Sequence, residues 1–145
     1  MQTKTRNLLV RYTIVYILAV AAVQIAGMLL ARFMPDIGSP SGLAFVPSII
    51  AAMDAGQSYF KSNGTRPENV YSWKVAVLFS AISFLVSMLI VVLLDALDFP
   101  VVEMMNQAGP KVLAVALALF FVLHIVISRL MFGSGAKTAS KSVRK

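Results

Sequence analysis

The 145-residue chain has no cysteine, one histidine, one tryptophan and only six acidic residues. Without cysteine there is no disulfide frame, no thiolate metal site and no palmitoyl anchor. A single histidine leaves little for nucleophilic chemistry. GxSxG, HExxH and Gly-rich phosphate loops are all missing. Charge is scarce as well, at 13% of residues, where soluble domains carry about 25%. What is abundant is apolar surface, with 59% hydrophobic residues and a mean hydropathy of +0.82. A core of this size cannot hide that much apolar surface from water. The balance excludes a soluble enzyme, a disordered protein and a nucleic-acid module, and it points to a membrane protein.

A membrane span needs roughly 20 mostly apolar residues. Four stretches qualify: 12–31, 42–60, 75–94 and 112–131. The second is the least apolar. Backbone in lipid must satisfy its own hydrogen bonds, so each span is expected to be helical. The expected fold is all-α, a four-transmembrane-helix bundle over residues 1–132 with a flexible basic tail over 133–145. No internal repeat is visible. The first stretch is too long for a signal-peptide core and ends in Arg32-Phe33-Met34, a poor cleavage site. It reads as a retained helix.

Lysine and arginine set the direction. Lys4, Arg6 and Arg11 precede the first span. Lys61, Arg66 and Lys74 lie between the second and third, and Arg129, Lys137, Lys141, Arg144 and Lys145 close the chain. Only Arg32 and Lys111 fall on the other side. This asymmetry places both termini in the cytoplasm and the protein in a bacterial inner membrane. Asp36, Asp95, Asp98 and Glu103 fall on the outer side. Tyr12, Tyr16, Tyr59, Phe60, Tyr71, Trp73 and Phe132 gather near the inner boundary, as an interfacial aromatic belt would.

In the middle loop, Asn63-Gly64 is a turn signal. Thr65-Arg66-Pro67-Glu68 fits a capping box, with Thr65 as cap of the third helix. Asn63-Gly64-Thr65 also matches a glycosylation sequon, which has no meaning on the cytoplasmic side. The outer loops are a short Pro/Gly/Ser-rich segment, 34–42, and an acidic one, 95–110, whose apolar centre suits the outer interface. The basic tail is expected near anionic lipid heads.

Some groups inside the spans are not what lipid would select. Ala51/Ala55 and Ala52/Gly56 are small-xxx-small pairs, and Ser80, Ser83 and Ser87 share one helix face, so these mark the bundle interior. Asp54 and His124 are ionisable residues within spans. An acid near mid-membrane costs about 2.5–3.5 kcal/mol even on the lenient insertion scale, so it needs a partner. Aligning span midpoints puts Asp54, His124 and Ser80 at one level. Gln24 and Ser87 form a second pair nearer the outer face, and Gln57 falls near Ser128 or Arg129. An Asp54–His124 pair reads either as a proton relay or as a polar clasp between helices. A third reading keeps them apart, with Asp54 paired through water to Lys61 or Arg129. Two such ligands are too few for a metal site, and no cofactor is expected.

The stretch AGQSYFKSNGTRPENVYSWKVAVLFSAISFLVS resembles the middle of a family of small bacterial inner-membrane proteins, the ABZJ-type family, whose function is unknown. The match rests on the Gly-containing end of the second helix, Phe60, Arg66-Pro67, Trp73 and the serine-bearing third helix. The resemblance implies four helices and an inner-membrane location. The family pattern often has an acid shortly before the tryptophan, where this chain has Val70, Tyr71 and Ser72. No activity and no site residues follow from it.

Two functions fit these residues. One is a non-catalytic membrane component that binds a partner, with Arg66 and Trp73 as the contact residues of the cytoplasmic loop. The other is a small proton-coupled transporter that works as a dimer through Asp54 and His124. Its size and helix count are similar to the small multidrug resistance family, which places its embedded acid in the first helix, where this chain has Gln24. An enzyme is not expected. The partners considered are the lipid bilayer, a second copy of the chain or another membrane protein, with no nucleic acid.

Overall fold

The computed structural model describes residues 2–33, 41–97, 107 and 109–143. The fold is all-α, as expected. Four helices dominate it: α1 (Gln2–Phe33), α2 (Val46–Asn63), α3 (Asn69–Asp95) and α4 (Pro110–Ser142). A 3-10 segment, Ser41–Phe45, leads into α2. Among the described residues, three helices are long and apolar enough to cross a membrane: Thr5–Leu30 of α1, α3 and α4. The second helix is not one of them. It has 18 residues and carries Ser48, Asp54, Gln57, Ser58 and Ser62.

Side-chain pairs set the helix directions. Tyr12 meets Ser83 and Tyr16 meets Ser87, so α1 and α3 run parallel. Ser48 meets His124, and Gly56 lies against Phe132 and Ala136, so α2 and α4 run parallel. The start of α1, the α2–α3 link and the end of α4 gather at one end, where Thr5 meets Tyr71 and Arg66 meets Ser140. Most lysines and arginines lie here, and it is called the basic end below.

Apolar side chains point outward. Leu18 (64% exposed), Leu85 (67%) and Leu119 (60%) lie on the surface, while Ser48, Ser80, Ser83, His124 and Ser128 are buried. That inversion is what a bilayer rather than water asks of a surface. The tightest contact joins α2 to α4. A Cβ on Gly56 would stand 2.1 Å from the Phe132 carbonyl oxygen, and one on Gly135 would stand 2.1 Å from that of Met53. The two backbones therefore touch at a pair of glycines, with Ala51, Ala52, Ala55 and Ala136 closing the seam.

Three expectations are corrected. The tail is not loose up to Ser142. Its residues 133–142 continue α4, because Gly135, Ala136 and Ala139 recur on one face and are buried. Their small size, which resembles a linker in sequence, is what lets α2 approach. The aromatic residues form a core more than a belt. Tyr12 and Phe132 are fully buried, Tyr12 stacks on Phe79 at 3.8 Å, and Phe79 meets Phe132 edge-on. Of the seven aromatics named above, only Trp73 is exposed. The capping box does not form either. The third helix starts at Asn69 with Glu68 as its cap residue and no side-chain cap bond. Arg66 precedes Pro67, and a residue before proline is disfavoured in helical geometry, which works against a start at Thr65. The Asn63-Gly64 signal instead ends α2. Gly64 adopts a left-handed φ of 69° and donates its N–H to the Phe60 carbonyl. The acidic loop reading, 98–106 included, lies outside the described residues, as do 34–40 of the first outer loop.

Two alanine substitutions two residues apart test the seam. Gly133 has nothing within 4 Å of a built Cβ. Gly133→Ala should stabilise α4 by about 0.5–1 kcal/mol through reduced chain entropy. Gly135→Ala should destabilise by about 1–3 kcal/mol, because α2 must move away. Thermal unfolding in detergent reads both, and equal effects would contradict the backbone contact.

Candidate functional site

The interior polar groups come from all four helices. His124 of α4 is buried. Its Nε2 meets Ser48 Oγ of α2, and its Nδ1 lies 3.0 Å from Ser80 Oγ of α3 and 3.4 Å from Ser128 Oγ. From α1, the Tyr12 hydroxyl lies 2.8 Å from Ser83 Oγ, with Ser48 and Ser128 beside it. Proton counting fixes the roles. Ser80 has one O–H, which it donates to the Ala76 carbonyl at 2.9 Å. Towards His124 it can only accept, so Nδ1 carries the ring proton. Nε2 then accepts from Ser48. Each ring nitrogen thus has a serine partner, and among the described residues no carboxylate bonds the ring.

Asp54 is not part of this group. Ser48, not Asp54, is level with His124, and Asp54 lies six residues further along α2, about 9 Å at 1.5 Å per residue. The level assigned from span midpoints is therefore wrong for this pair. The glycine seam sets the register of α2 on α4, and hydropathy does not report it. Asp54 is held by Arg11 of α1, with Nε donating to Oδ2 at 2.6 Å and Nη2 to Oδ1 at 2.9 Å. The geometry is bidentate, but the side chains are 52% and 29% exposed. A pair this open contributes about 0.2–1 kcal/mol in water. The Asp54–His124 pair expected as clasp or relay does not form, and the partner of Asp54 is neither Lys61 nor Arg129.

The remaining candidates separate in the same way. Ser80 does reach His124, as the level argument expects. Ser87 meets Tyr16 at 3.4 Å and not Gln24. The α1–α3 offset of 71 residues carries Gln24 to the level of Asp95, about two turns past Ser87, and Gln24 is exposed. Gln57 is half-buried and joins none of these bonds, because Ser128 turns to His124 and Arg129 to Asn69. Arg129 Nη2 donates to Asn69 Oδ1 at 2.6 Å, its guanidinium lies 4.7 Å from the Trp73 ring centre, and its buried Nε has no partner. Trp73 is thus partly covered by a cation. Arg66 donates to Ser140 Oγ at 3.0 Å, tying the α2–α3 link to α4.

At the basic end a cavity of about 670 Å³ opens between α1, the end of α2 and the α2–α3 link. Arg11, Ser58, Tyr59, Ser62, Arg66 and Tyr71 are among its walls. A second cavity, of about 550 Å³, runs beside it along α1 and shares Asn7 and Arg11 with it. Its other walls are Arg6, Val10, Ile14 and Val15.

A serine donating to a histidine nitrogen is the front half of a nucleophile–base pair. Here Ser48 has no exposed surface, and neither cavity reaches it. The interior group can lock four helices together, while the basic end can take up a ligand. Sequence reading missed Ser48, Tyr12 and the pairing role of Arg11. Ser48 carried a signal, since it lies on the face of Ala51, Ala52 and Ala55. Arg11 carried none beyond its place at the start of an apolar run. The chain matches no known protein family, no curated protein and no solved structure.

With one histidine in the chain, ¹⁵N NMR of the imidazole is unambiguous. It should show the proton on Nδ1, and the Nε2-protonated form would refute the donor assignment. Ser128 can take over from Ser80 as acceptor. Ser80→Ala should therefore cost little, and adding Ser128→Ala should destabilise by about 1–3 kcal/mol more than the two single changes summed, the penalty of an unpaired buried donor.

Proposed function

We propose that the chain is a non-catalytic component of a bacterial inner membrane that works as a binding protein through its basic end. In this reading it crosses the bilayer four times, with both termini in the cytoplasm. One observation carries the binding role: the buried serines and His124 are used up on one another, whereas the basic end holds an open cavity whose walls include Arg11, Arg66 and Glu68.

The fourth crossing is supported by direction. If α1 and α3 both cross, being parallel, the chain between them must cross back. The second helix is polar for a span, but α1 and α4 cover it, and Ile50 is its one exposed large apolar side chain. The lysine and arginine asymmetry favours a cytoplasmic basic end. The resemblance to the ABZJ-type family agrees with the location. The relay reading has lost its central pair, since Asp54 bonds Arg11 and His124 bonds serines.

The absence of cysteine makes accessibility mapping direct. In intact spheroplasts, a membrane-impermeant maleimide should label Gln107→Cys. It should reach Gln2→Cys and Ser142→Cys only after permeabilisation. Opposite sides for residues 2 and 142 would reduce the crossings to three. In proteoliposomes under an imposed pH gradient, wild type and Asp54→Asn should leak protons no faster than empty vesicles. A flux abolished by Asp54→Asn would make transport the better reading.

A further inference from the structure

We infer that the two cavities at the basic end form one site for an anionic glycerophospholipid, with its phosphate in the larger cavity and an acyl chain along α1. The inference rests on the basic end being the working surface.

The larger cavity has the chemistry of a head-group site. Arg11 and Arg66 both line it. Arg11 commits Nε and Nη2 to Asp54, and Arg66 commits Nη2 to Ser140. Each keeps further N–H groups, and guanidinium–phosphate bonds are charge-assisted and directional. Ser58, Ser62 and Thr65 add hydroxyls of the kind that bind a glycerol head. The smaller cavity has the chemistry of a tail site. It continues from the same Arg11 and Asn7 onto Val10 and Ile14. Val10, Ile14 and Leu18 follow at four-residue intervals and are 54%, 54% and 64% exposed. They form an apolar track of about 12 Å along the helix. A soluble phosphate ester would make no use of that track. The sign of the head group follows from counting. Arg6, Arg11 and Arg66 border the two cavities, against Asp54, which is paired to Arg11, and Glu68. The larger cavity balances, Arg11 and Arg66 against Asp54 and Glu68, and the positive charge left over is that of Arg6, on the smaller cavity beside the shared Asn7, which favours an anionic head over a zwitterionic one.

Asp54 gives the site a sign that a structural role would not. It neutralises Arg11, so removing its charge should strengthen lipid binding even if it weakens the fold. The experiment is native mass spectrometry of detergent-purified protein. Phosphatidylglycerol competes with phosphatidylcholine and with phosphatidylethanolamine of the same acyl chains, and thermal unfolding is run in parallel. Wild type should retain phosphatidylglycerol at least fivefold over either zwitterionic lipid. Arg66→Gln should lower that retention about threefold at unchanged unfolding temperature, Ile14→Asn should weaken retention of all lipids, and Asp54→Asn should raise phosphatidylglycerol retention. Equal retention of the three lipids, no effect of Arg66→Gln, or a loss with Asp54→Asn would overturn the site. Glycerol phosphate binding as well as the lipid would overturn the lipid but leave a binding role for the basic end. If no phosphate compound responds to Arg66→Gln, both readings fail.

Discussion

The backbone contact between α2 and α4 is the constraint on which the other features depend. Gly56 and Gly135 let each helix lie against a carbonyl of the other, where any side chain would collide. Helices in lipid gain little from hiding apolar surface, so close packing and interhelical hydrogen bonds must hold them. The seam supplies the first and sets the register for the second. It fixes Ser48 opposite His124, which in turn reaches Ser80 on α3. It also turns Asp54 away from the interior towards Arg11 on α1. A slip of one turn would move Ser48 off the imidazole and drive Cβ atoms into the opposing backbone.

Hydropathy reads some of this and is blind to the rest. The helical class, three strongly apolar helices, the small-residue face of α2 and the serine face of α3 all follow from composition and period. Register does not. Midpoint alignment assumes that helices end where apolarity ends, yet α1 and α4 run on for about three turns at the basic end. Asp54 was misplaced because the glycine seam sets the register of α2 on α4, and Gln24 because the tyrosine–serine pairs set that of α1 on α3. Tyr12 and Phe132 were misread for a different reason. Aromatics near a boundary fit a belt by composition, and only packing shows that these two turn inward onto Phe79, Tyr12 stacked and Phe132 edge-on. The last ten helical residues of α4 were hidden by ambiguity, since Gly, Ser and Ala make both flexible linkers and close helix contacts.

Polar groups divide by depth into two kinds. Those in the interior are uncharged and mutually satisfied, with Ser80 donating a hydrogen bond to a carbonyl and accepting one from His124. Low dielectric makes an unpaired group costly there, so a closed set of hydroxyls and one imidazole suits that place. At the basic end the pairs are made by arginines, with Asp54, Ser140 and Asn69, and are exposed and incomplete. Arg11 and Arg66 use part of their donors on the protein. Groups of the first kind define the fold. Those of the second kind leave donors unused, and that contrast separates the histidine from the arginines better than burial alone.

The second helix joins the two layers. On the four-crossing reading it is the element least able to enter lipid alone, because Asp54, Gln57 and three serines interrupt its apolar face. Its polar side chains become tolerable only once α1 and α4 cover it, with Arg11 meeting Asp54 and His124 meeting Ser48. The same residues that make it a poor span make it specific, since a uniformly apolar helix could dock in many registers. At its far end, beyond the seam, the helix no longer touches only protein. Ser58, Tyr59 and Ser62 face the cavity instead. A helix that is anchored by glycine at its middle, locked by serine at its start and open at its end carries the register of the bundle directly into the geometry of the basic end.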